Sequence, residues 1–411
     1  MKMTDETLTS VRENLRYAKN SDFYKERLKG VEPEDIRNIQ DFQKIPFTDK
    51  DDLRNAYPLG LLAAPQEDIV RIHSSSGTTG DPVIIPYTAR DVKDWAEMFK
   101  RCYETAGVTK SDIVQVTPGY GLWTAGIGFQ LGAELLGAMV IPMGPGNTDK
   151  QLRMMADLKT TVLTATSSYA LLLAEEIERR GMHDRIRLKK GIIGSERWGE
   201  KMRARIAHEL GVQLYDIYGL TEIYGPGIGV SCGHECGIHM WTDYFYYEII
   251  DQDTREVLPE GEAGELVITT LRKEGAPLIR YRTHDLTREI PGECPCGSEY
   301  PRIAALIGRS DDMVKIRGTI LYPGRVDELL SGEPRASSEY QIIIDHVFGK
   351  DILTLFFETA LTEEHSLREL ETHMTSRFKE VIGVTPLAKA VGIGELPRSE
   401  KKTTRIFDNR Y

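Results

Sequence analysis

The stretch Ser74–Gly80, with the sequence SSSGTTG, is the strongest constraint in this chain, because each of its seven residues is glycine or carries a hydroxyl group. Glycine lets the backbone fold closely around a ligand, and free N–H groups with Ser and Thr hydroxyls form a concave site for an anion such as a polyphosphate. Asp81-Pro82 follows where a Walker loop has Lys-Ser/Thr, which disfavours that class of protein. A flexible Ser/Gly linker fits poorly here, because mostly apolar segments flank the stretch.

Size and charge limit the possible functions. The chain has 411 residues, enough for two or three domains, and its net charge of −11 disfavours binding to nucleic acid or an anionic membrane. No apolar run approaches the roughly 20 residues of a membrane helix, and the polar N-terminus lacks the apolar core of a signal sequence. Five cysteines do not amount to a disulfide scaffold. We therefore expect a cytoplasmic protein without membrane or nucleic-acid partners.

Apolar patterning predicts an α/β architecture. Strand-like and helical segments alternate from residue 89 to residue 217, which favours a parallel sheet covered by helices. From Tyr244 short strands and turns predict an antiparallel sheet or small barrel. A polar junction, Gly308–Asp312, places a domain boundary near Asp311, and the segment after it mixes strands with one clear helix, 364–379.

Four further motifs carry chemically useful side chains. Tyr218–Glu222 offers a ring for stacking a base, a hydroxyl group and a carboxylate suited to Mg²⁺. The aspartate of Tyr281–Leu286 could hold ribose hydroxyls or cap a turn. The arginine of Gly308–Asp312 could bind phosphate or belong to a surface charge cluster. Leu396–Lys402 supplies lysines, as a solvated basic tail also would.

Together and in this order, the motifs make the chain resemble the ANL adenylate-forming superfamily and, within it, the phenylacetate–CoA ligase family. The likeness runs from about residue 10 to the end, and six segments carry it: SSSGTTG (74–80), TPGYGLWTAG (117–126), YGLTEIYGPG (218–227), APLIRYRTHDLT (276–287), GRSDDMVKIRG (308–318) and LPRSEKK (396–402). The resemblance implies an ANL fold. Residues 1–310 would form a large N-terminal domain with parallel sheets and a small barrel-like subdomain, and residues 311–411 a small mobile α+β domain.

The resemblance also implies a reaction and an ATP site. Members of the family make an acyl-adenylate from a carboxylic acid and ATP, and usually transfer the acyl group to coenzyme A. The residues that would bind ATP are Ser75, Ser76, Gly77, Thr78, Thr79, Gly80, Glu196, Asp216, Tyr218, Asp285 and Arg309.

Catalytic roles follow from the same match. Thr221 would contact the α-phosphate, and Glu222 would bind Mg²⁺. Lys402 matches the C-terminal lysine that bridges the attacking carboxylate and the α-phosphate, with the adjacent Lys401 as the alternative. Asp311 occupies the hinge position about which the C-terminal domain would rotate between the two half-reactions.

Several positions depart from the family pattern. Asp81 stands where lysine is common, Ser195 and Arg197 replace Ala and Pro, His284 replaces Arg, and Lys401 replaces Gly. None of these changes removes a functional group that the reaction requires. Asp81 would weaken the electrostatic hold on ATP.

The acyl group would bind beside Tyr120, Trp123 and Gly126. Small residues between aromatic ones leave room for a flat ring and give it surfaces to pack on. The alternative is an ordinary helix start packed in the core. Aromatic acids fit both the composition and the family.

Six cysteine and histidine residues form a candidate Zn²⁺ site, because dense Cys/His clusters outside disulfide-rich proteins more often bind zinc than form disulfides. The candidates are Cys232, His234, Cys236, His239, Cys294 and Cys296. Many relatives have a Cys and a His seven residues apart, as Cys232 and His239 are. This favours a structural site of Cys232, His239, Cys294 and Cys296, with Cys236 as the main rival. Reduced surface thiols are the alternative.

The sequence therefore favours an ATP-dependent ligase that joins an aromatic acid, of phenylacetate or benzoate type, to coenzyme A. One alternative is a stand-alone adenylating enzyme that passes its acyl-AMP to an amine or a carrier protein. A non-catalytic nucleotide sensor is disfavoured, because Glu222, Asp285 and Lys402 are all present. The resemblance to the family also makes a homodimer an expectation.

Overall fold

The computed structural model describes residues 3–75, 82–122, 124–196, 198–234, 236–311, 313–316, 319–348, 350–398 and 404–410. The α-helices of these residues are α1 (Asp5–Ala18), α2 (Asp22–Arg27), α3 (Ile39–Gln43), α4 (Lys50–Asn55), α5 (Ala89–Thr105), α6 (Ala125–Leu136), α7 (Thr148–Asp157), α8 (Ser167–Arg179), α9 (Glu200–Leu210), α10 (Pro323–Ser331) and α11 (Glu364–Ile382). None of them combines the length and apolar composition needed to cross a bilayer.

The strands run in the same order along the chain. They are β1 (Ile69–Ser74), β2 (Ile84–Thr88), β3 (Ile113–Val116), β4 (Met139–Pro142), β5 (Val162–Thr166), β6 (Lys190–Gly194), β7 (Gln213–Leu220), β8 (Gly225–Ser231), β9 (Ile238–Met240), β10 (Phe245–Ile250), β11 (Ala263–Thr270), β12 (Tyr281–Ile290), β13 (Arg302–Ile303), β14 (Gly308–Arg309), β15 (Val314–Ile316), β16 (Thr319–Leu321), β17 (Ala336–Val347), β18 (Lys350–Thr359), β19 (Leu387–Gly392) and β20 (Ile406–Asp408).

The predicted parallel sheet is present, with the strand order β4-β3-β5-β6-β7. Helices connect its strands, because a parallel pair needs a crossover that returns the chain to the same end of the sheet. The apolar residues Trp95, Phe99 and Tyr103 of α5 are buried in the main core. Residues after β7 therefore emerge at the carboxyl edge of this sheet, where ligands of open α/β proteins bind.

The region predicted to be an antiparallel sheet or small barrel is an antiparallel sheet. Its strands continue the parallel sheet in the order β7-β8-β9-β13-β12-β11-β10, with β14 paired to β12. The strand β8, which was not predicted, joins the two parts. The sheet thus connects the end of β7 to β12 and β14, which carry later motifs.

Residues after 313 build a second core of their own. Strands β19-β18-β17-β20 form a mixed sheet, and the helices α10 and α11 pack on it. Four buried residues at four-residue spacing form the inner face of α11: Leu370, Met374, Phe378 and Ile382. The mixed α and β composition expected for this segment is confirmed. We call residues 3–310 the large lobe and residues 313–410 the small lobe.

Candidate active site

The candidate phosphate-binding loop lies between two antiparallel strands, β1 and β2. Ser75 closes its base, because its N–H donates to Val83 O (3.1 Å) and its Oγ accepts from Val83 N–H (3.0 Å). The N–H of Ser74 donates to Leu122 O (3.0 Å), which brings the candidate acyl segment beside the loop. The predicted ligands Ser76–Gly80 lie outside the described residues, as do Asp81, Arg197 and the two catalytic candidates Lys401 and Lys402.

The buried carboxylate of Asp285 binds two other predicted site residues, Tyr218 and Arg309. The hydroxyl of Tyr218 donates to Asp285 Oδ2 (2.7 Å), and Arg309 Nη1 donates to Asp285 Oδ1 (3.1 Å). Arg309 also holds the predicted hinge residue Asp311 through two hydrogen bonds of 2.8 Å. Burial and the neighbouring carboxylate raise the pKa of Tyr218 well above its usual value, so it donates as a neutral phenol.

Strand pairing explains this convergence. Tyr218 lies near the end of β7, Asp285 lies on β12, and Arg309 lies on β14. In the register of β12 and β14, Asp285 is the direct partner of Arg309. Cross-strand partners place their side chains on the same face of a sheet. The pairing of β12 with β14 therefore brings the guanidinium of Arg309 to the carboxylate of Asp285.

Two further residues of the predicted ATP site, Glu196 and Asp216, are both anchored by neighbouring helices. Glu196 Oε2 accepts from Ser167 Oγ (2.9 Å), Ser168 N–H (3.0 Å) and Ser168 Oγ (2.6 Å) at the N-terminus of α8. That end of a helix carries a partial positive charge and favours a carboxylate. Asp216 accepts from Arg203 Nη1 (2.9 Å) on α9. Both acids are thus fixed beside the carboxyl edge of the sheet.

The turn after β7 carries the predicted catalytic residues Thr221 and Glu222. The hydroxyl oxygens of Thr221 and Thr124 lie 3.4 Å apart, so the turn contacts the start of α6. Glu222 is buried, and its Oε1 lies 3.3 Å from Lys50 Nζ at the start of α4. A buried carboxylate needs a cation nearby, and Lys50 supplies one. The sequence reasoning missed this lysine, because its pairing is long-range and no local pattern marks it.

His284, one of the departures from the family pattern, links α4 to the residues before the hinge. Its Nε2 lies 3.0 Å from Asp49 Oδ1, and its Nδ1 lies 2.9 Å from Ser310 Oγ. The hydrogen bond with Asp49 raises the pKa of His284 above its usual value. The backbone of His284 is left-handed, with φ of 63°. This residue therefore also positions the segment that contains Arg309.

Two of the three acyl-site candidates are described. The Tyr120 hydroxyl is buried and has no hydrogen-bond partner among the described residues. Burial raises the pKa of Tyr120, so this hydroxyl stays a neutral donor. A Cβ on Gly126 would lie 2.7 Å from Gly119 O, so only glycine lets α6 approach this segment so closely. Trp123 lies outside the described residues.

The predicted metal cluster is assembled from two loops. Cys232, Cys236, His239 and Cys294 offer ligand atoms that all lie within 4.8 Å of one another. Cys236 and Cys294 have the closest sulfur atoms, 2.8 Å apart. The prediction favoured Cys296 over Cys236. In the structure Cys236 joins the cluster, while the exposed Cys296 has its Sγ 3.4 Å from His239 Nε2. His234 is not a member of the described cluster.

The surroundings of this cluster orient it for a cation. His239 Nδ1 lies 3.0 Å from Tyr300 O, which leaves Nε2 to face the sulfur atoms. Metal-binding histidines usually have such a second hydrogen bond. Arg302 donates to the carbonyl oxygens of Cys236 and Gly292, and it therefore holds together the two loops that carry the cysteines. Burial, followed by smaller effects of neighbouring thiols, raises the pKa of Cys232 to about 12, and a bound metal ion would reverse that shift.

Known proteins match the chain along nearly its whole length. Residues 15–271 match the family model for AMP-binding enzymes, and residues 318–410 match the one for the AMP-binding enzyme C-terminal domain. The phenylacetate–coenzyme A ligase of Pseudomonas putida is 41% identical over 413 residues, which cover 98% of this chain and 93% of that protein. The phenylacetate–coenzyme A ligase of Thermus thermophilus is 38% identical over 403 residues, covering 93% and 90%.

Solved structures show the same fold. The 2-hydroxyisobutyryl-CoA ligase in its postadenylation state, in complex with R3-HIB-AMP, matches with a TM-score of 0.90 and 26% identity, covering 99% of this chain and 90% of that one. The same ligase in its thioesterification state, with 2-HIB-AMP and CoA, gives a TM-score of 0.72 and 27% identity, covering 98% and 89%.

The converging motif residues and these matches lead to the same assignment. The predicted ANL fold, with a large N-terminal and a small C-terminal domain, is confirmed. The chain belongs to the phenylacetate–CoA ligase family of AMP-binding enzymes, and it is an ATP-dependent acid–thiol ligase that forms an acyl-adenylate and transfers the acyl group to coenzyme A.

Proposed function

We propose that the acid is aromatic, of the phenylacetate or benzoate class, and that the reaction takes place at the carboxyl edge of the parallel sheet. The observation that carries the location is the network around Asp285, in which Tyr218 and Arg309 converge from distant segments. The names of the relatives support the acid class. The Tyr120 hydroxyl, which is buried without a hydrogen-bond partner among the described residues, supports the acyl site, and Leu122 of the same segment contacts Ser74 at the base of the proposed phosphate loop.

The first half-reaction needs charge control rather than a base. A carboxylate oxygen of the acid attacks the α-phosphorus of ATP, the bond to the β-phosphate oxygen breaks, and pyrophosphate leaves. The acid is already ionised at neutral pH, so the obstacle is repulsion between two anions. Such transfers rely on positioning and on neutralising charge. Lys402 is the proposed cation at the reacting oxygens, and Thr221 the proposed contact of the α-phosphate.

Glu222 is the proposed Mg²⁺ ligand. Its carboxylate is buried with Lys50 beside it, in a turn that follows β7, so the position already accommodates a positive charge. Bound Mg²⁺ supplies neutralisation of the triphosphate charge.

In the second half-reaction the thiol of coenzyme A loses its proton to water, its sulfur attacks the acyl carbon, and AMP leaves with the electrons of the broken C–O bond. We place the hinge for the change of geometry at Asp311, with domains of 1–310 and 311–411. The higher TM-score with the postadenylation structure supports a lobe arrangement that belongs to the adenylation half of the catalytic cycle.

The remaining expectations, a homodimer and a cytoplasmic location, stay predictions.

The cysteine cluster is the proposed structural Zn²⁺ site. Three thiols and an imidazole nitrogen form a donor set that suits zinc. The ion would tie the end of β8 to the loop between β12 and β13. Cys232, His239 and Cys294 belong to both the predicted and the observed set, and Cys236 and Cys296 compete for the remaining place.

A panel of acids tests the function. Purified protein is incubated with Mg·ATP and phenylacetate, benzoate, substituted benzoates or aliphatic acids, with and without coenzyme A, and pyrophosphate and thioester are both measured. We expect an aromatic acid to give the highest kcat/KM, and thioester to form in step with pyrophosphate when coenzyme A is present. Preference for an aliphatic acid would overturn the acid class, and adenylate release without thioester would favour the amine or carrier-protein alternative.

Replacing the C-terminal lysine tests the proposed catalytic cation. Lys402→Ala should lower the rate of pyrophosphate exchange by about 10²–10³, because an electrostatic contact to the reacting oxygens is lost. ATP affinity, measured by calorimetry, should change little, because the large lobe holds the nucleotide. Lys401→Ala is the matched control and should remain close to the wild type. Near-normal exchange in Lys402→Ala would contradict the assignment.

Metal analysis tests the zinc site. Protein purified without chelator should contain close to one zinc per chain, and Cys232→Ser should lose it together with thermal stability, since a structural ion contributes directly to folding. Cys102→Ala, at a buried cysteine on α5 outside the cluster, is the control and should keep the metal. Less than about half a zinc per wild-type chain would reject the site. Comparison of Cys236→Ser with Cys296→Ser identifies the remaining ligand.

A further inference from the structure

An arginine close to the C-terminal lysines bridges the two lobes. Arg398, in the motif Leu396–Lys402, donates from Nη2 to Glu175 Oε1 (2.7 Å) and from Nε to Glu175 Oε2 (3.0 Å). Glu175 lies on α8 of the large lobe. The other side of the guanidinium holds Glu358 of the small lobe, at 2.9 and 2.8 Å. Such two-pronged pairs fix direction as well as distance.

Each end of this bridge keeps a partner inside its own lobe. Glu358 is fully buried and also accepts from the N–H groups of Gly394 and Leu396, so it holds the segment that leads to Arg398. On the large lobe, Arg205 Nη2 donates to Glu175 Oε1 (2.9 Å). Breaking a charged pair costs most when it leaves one charge buried and alone. When the lobes separate, Arg398 keeps Glu358 and Glu175 keeps Arg205, so neither charge is left without a partner. The contact can therefore open and close in every catalytic cycle.

A second contact supports the same arrangement. Lys201, on α9 of the large lobe, donates to Leu330 O (3.3 Å), Glu333 O (2.8 Å) and Ala336 O of the small lobe. These carbonyl groups lie at and beyond the end of α10, where a helix attracts a cation. The helices α8 and α9 thus hold the small lobe at two places. Only the Glu175 contact lies next to the segment with the catalytic candidate.

The short stretch of chain between Arg398 and Lys402 limits how far Lys402 can lie from the contact with Glu175. Lys402 follows Arg398 by four positions in the chain, so their Cα atoms are at most about 14 Å apart. Glu175 lies seven residues along α8 from Ser168, which holds Glu196 at the nucleotide edge, a distance of roughly 10 Å along the helix axis. Lys402 itself lies outside the described residues, and the contact between Arg398 and α8 limits how far its Cα can lie from that edge.

We propose that Glu175 is a positioning residue for adenylation, which holds Arg398 so that the following segment carries Lys402 to the nucleotide, and which must release it before transfer to coenzyme A. This inference rests on the proposed roles of Lys402 and of the moving lobe. It assigns a function to a residue of α8 that does not touch the substrates. Its consequence is that the two half-reactions respond differently to the loss of Glu175.

The test measures the half-reactions separately in Glu175→Gln. Pyrophosphate exchange with phenylacetate should fall at least about tenfold, mainly in kcat, because a doubly hydrogen-bonded charged contact is lost. Thioester formation from supplied phenylacetyl-AMP and coenzyme A should be unchanged or faster, since that step needs the contact open. An equal loss in both steps would show a merely structural role, and unchanged exchange would show that the tether is not needed. Either result overturns the proposal.

Two further variants separate positioning from misfolding and from failure of the proposed function. Glu176→Gln is the matched control, because Glu176 is next to Glu175 in the chain but its carboxylate pairs with Arg179 and Arg180 of the same lobe. Both half-reactions should stay at wild-type rates in this variant. Arg398→Lys keeps the charge but cannot hold two carboxylates as a fork, so it should repeat the selective loss. A wild-type protein without exchange on any acid would instead reject the proposed function.

Discussion

The buried carboxylate of Asp285 is the constraint on which the rest of the site depends. It accepts from Tyr218 at the end of the parallel strands and from Arg309 on the antiparallel side, and Arg309 in turn holds Asp311. A buried carboxylate is stable only when its oxygens are paired. Ordering of the β7 end, the β12–β14 ladder and the proposed hinge is therefore one cooperative requirement. The proposed nucleotide site and the start of the small lobe are built around the same carboxylate.

The proposed adenylation joins two anions, so the site must supply positive charge. The chain carries a net charge of −11, and Asp81 directly follows the proposed phosphate loop, so cations must be placed individually. Lys50 stands beside Glu222 in the large lobe, whereas the proposed catalytic lysine belongs to the small lobe. A cation on a separate lobe can be withdrawn after adenylation. The bridge between Glu175 and Arg398 gives that movement a defined starting point.

Much of this was predictable from sequence because the relevant signals are local. The helix 364–379 and the strands of the parallel sheet follow from apolar spacing, and the motifs identified Tyr218, Asp285 and Arg309. The strand β8 escaped prediction, because three glycines and a proline in Gly225–Ser231 are typical of turns. Its glycines serve close approach, since a Cβ on Gly229 would lie 2.6 Å from His239 O. The pairings of Lys50 and Glu175 are long-range, so no spacing rule reveals them. Spacing identified both Cys236 and Cys296 as candidates, but the choice between them depends on how the two loops meet.

The most direct measurement is the affinity for ATP of Asp285→Asn, compared with the wild type by titration calorimetry. Asparagine keeps the shape of the side chain and can still accept a hydrogen bond, but it removes the charge that holds Arg309 and that would bind the ribose hydroxyls. The account predicts ATP binding at least about tenfold weaker, a loss of about 1.4 kcal/mol, in a protein that still folds. Equal affinity for ATP in the two proteins would contradict the role of Asp285 as the centre of the nucleotide site.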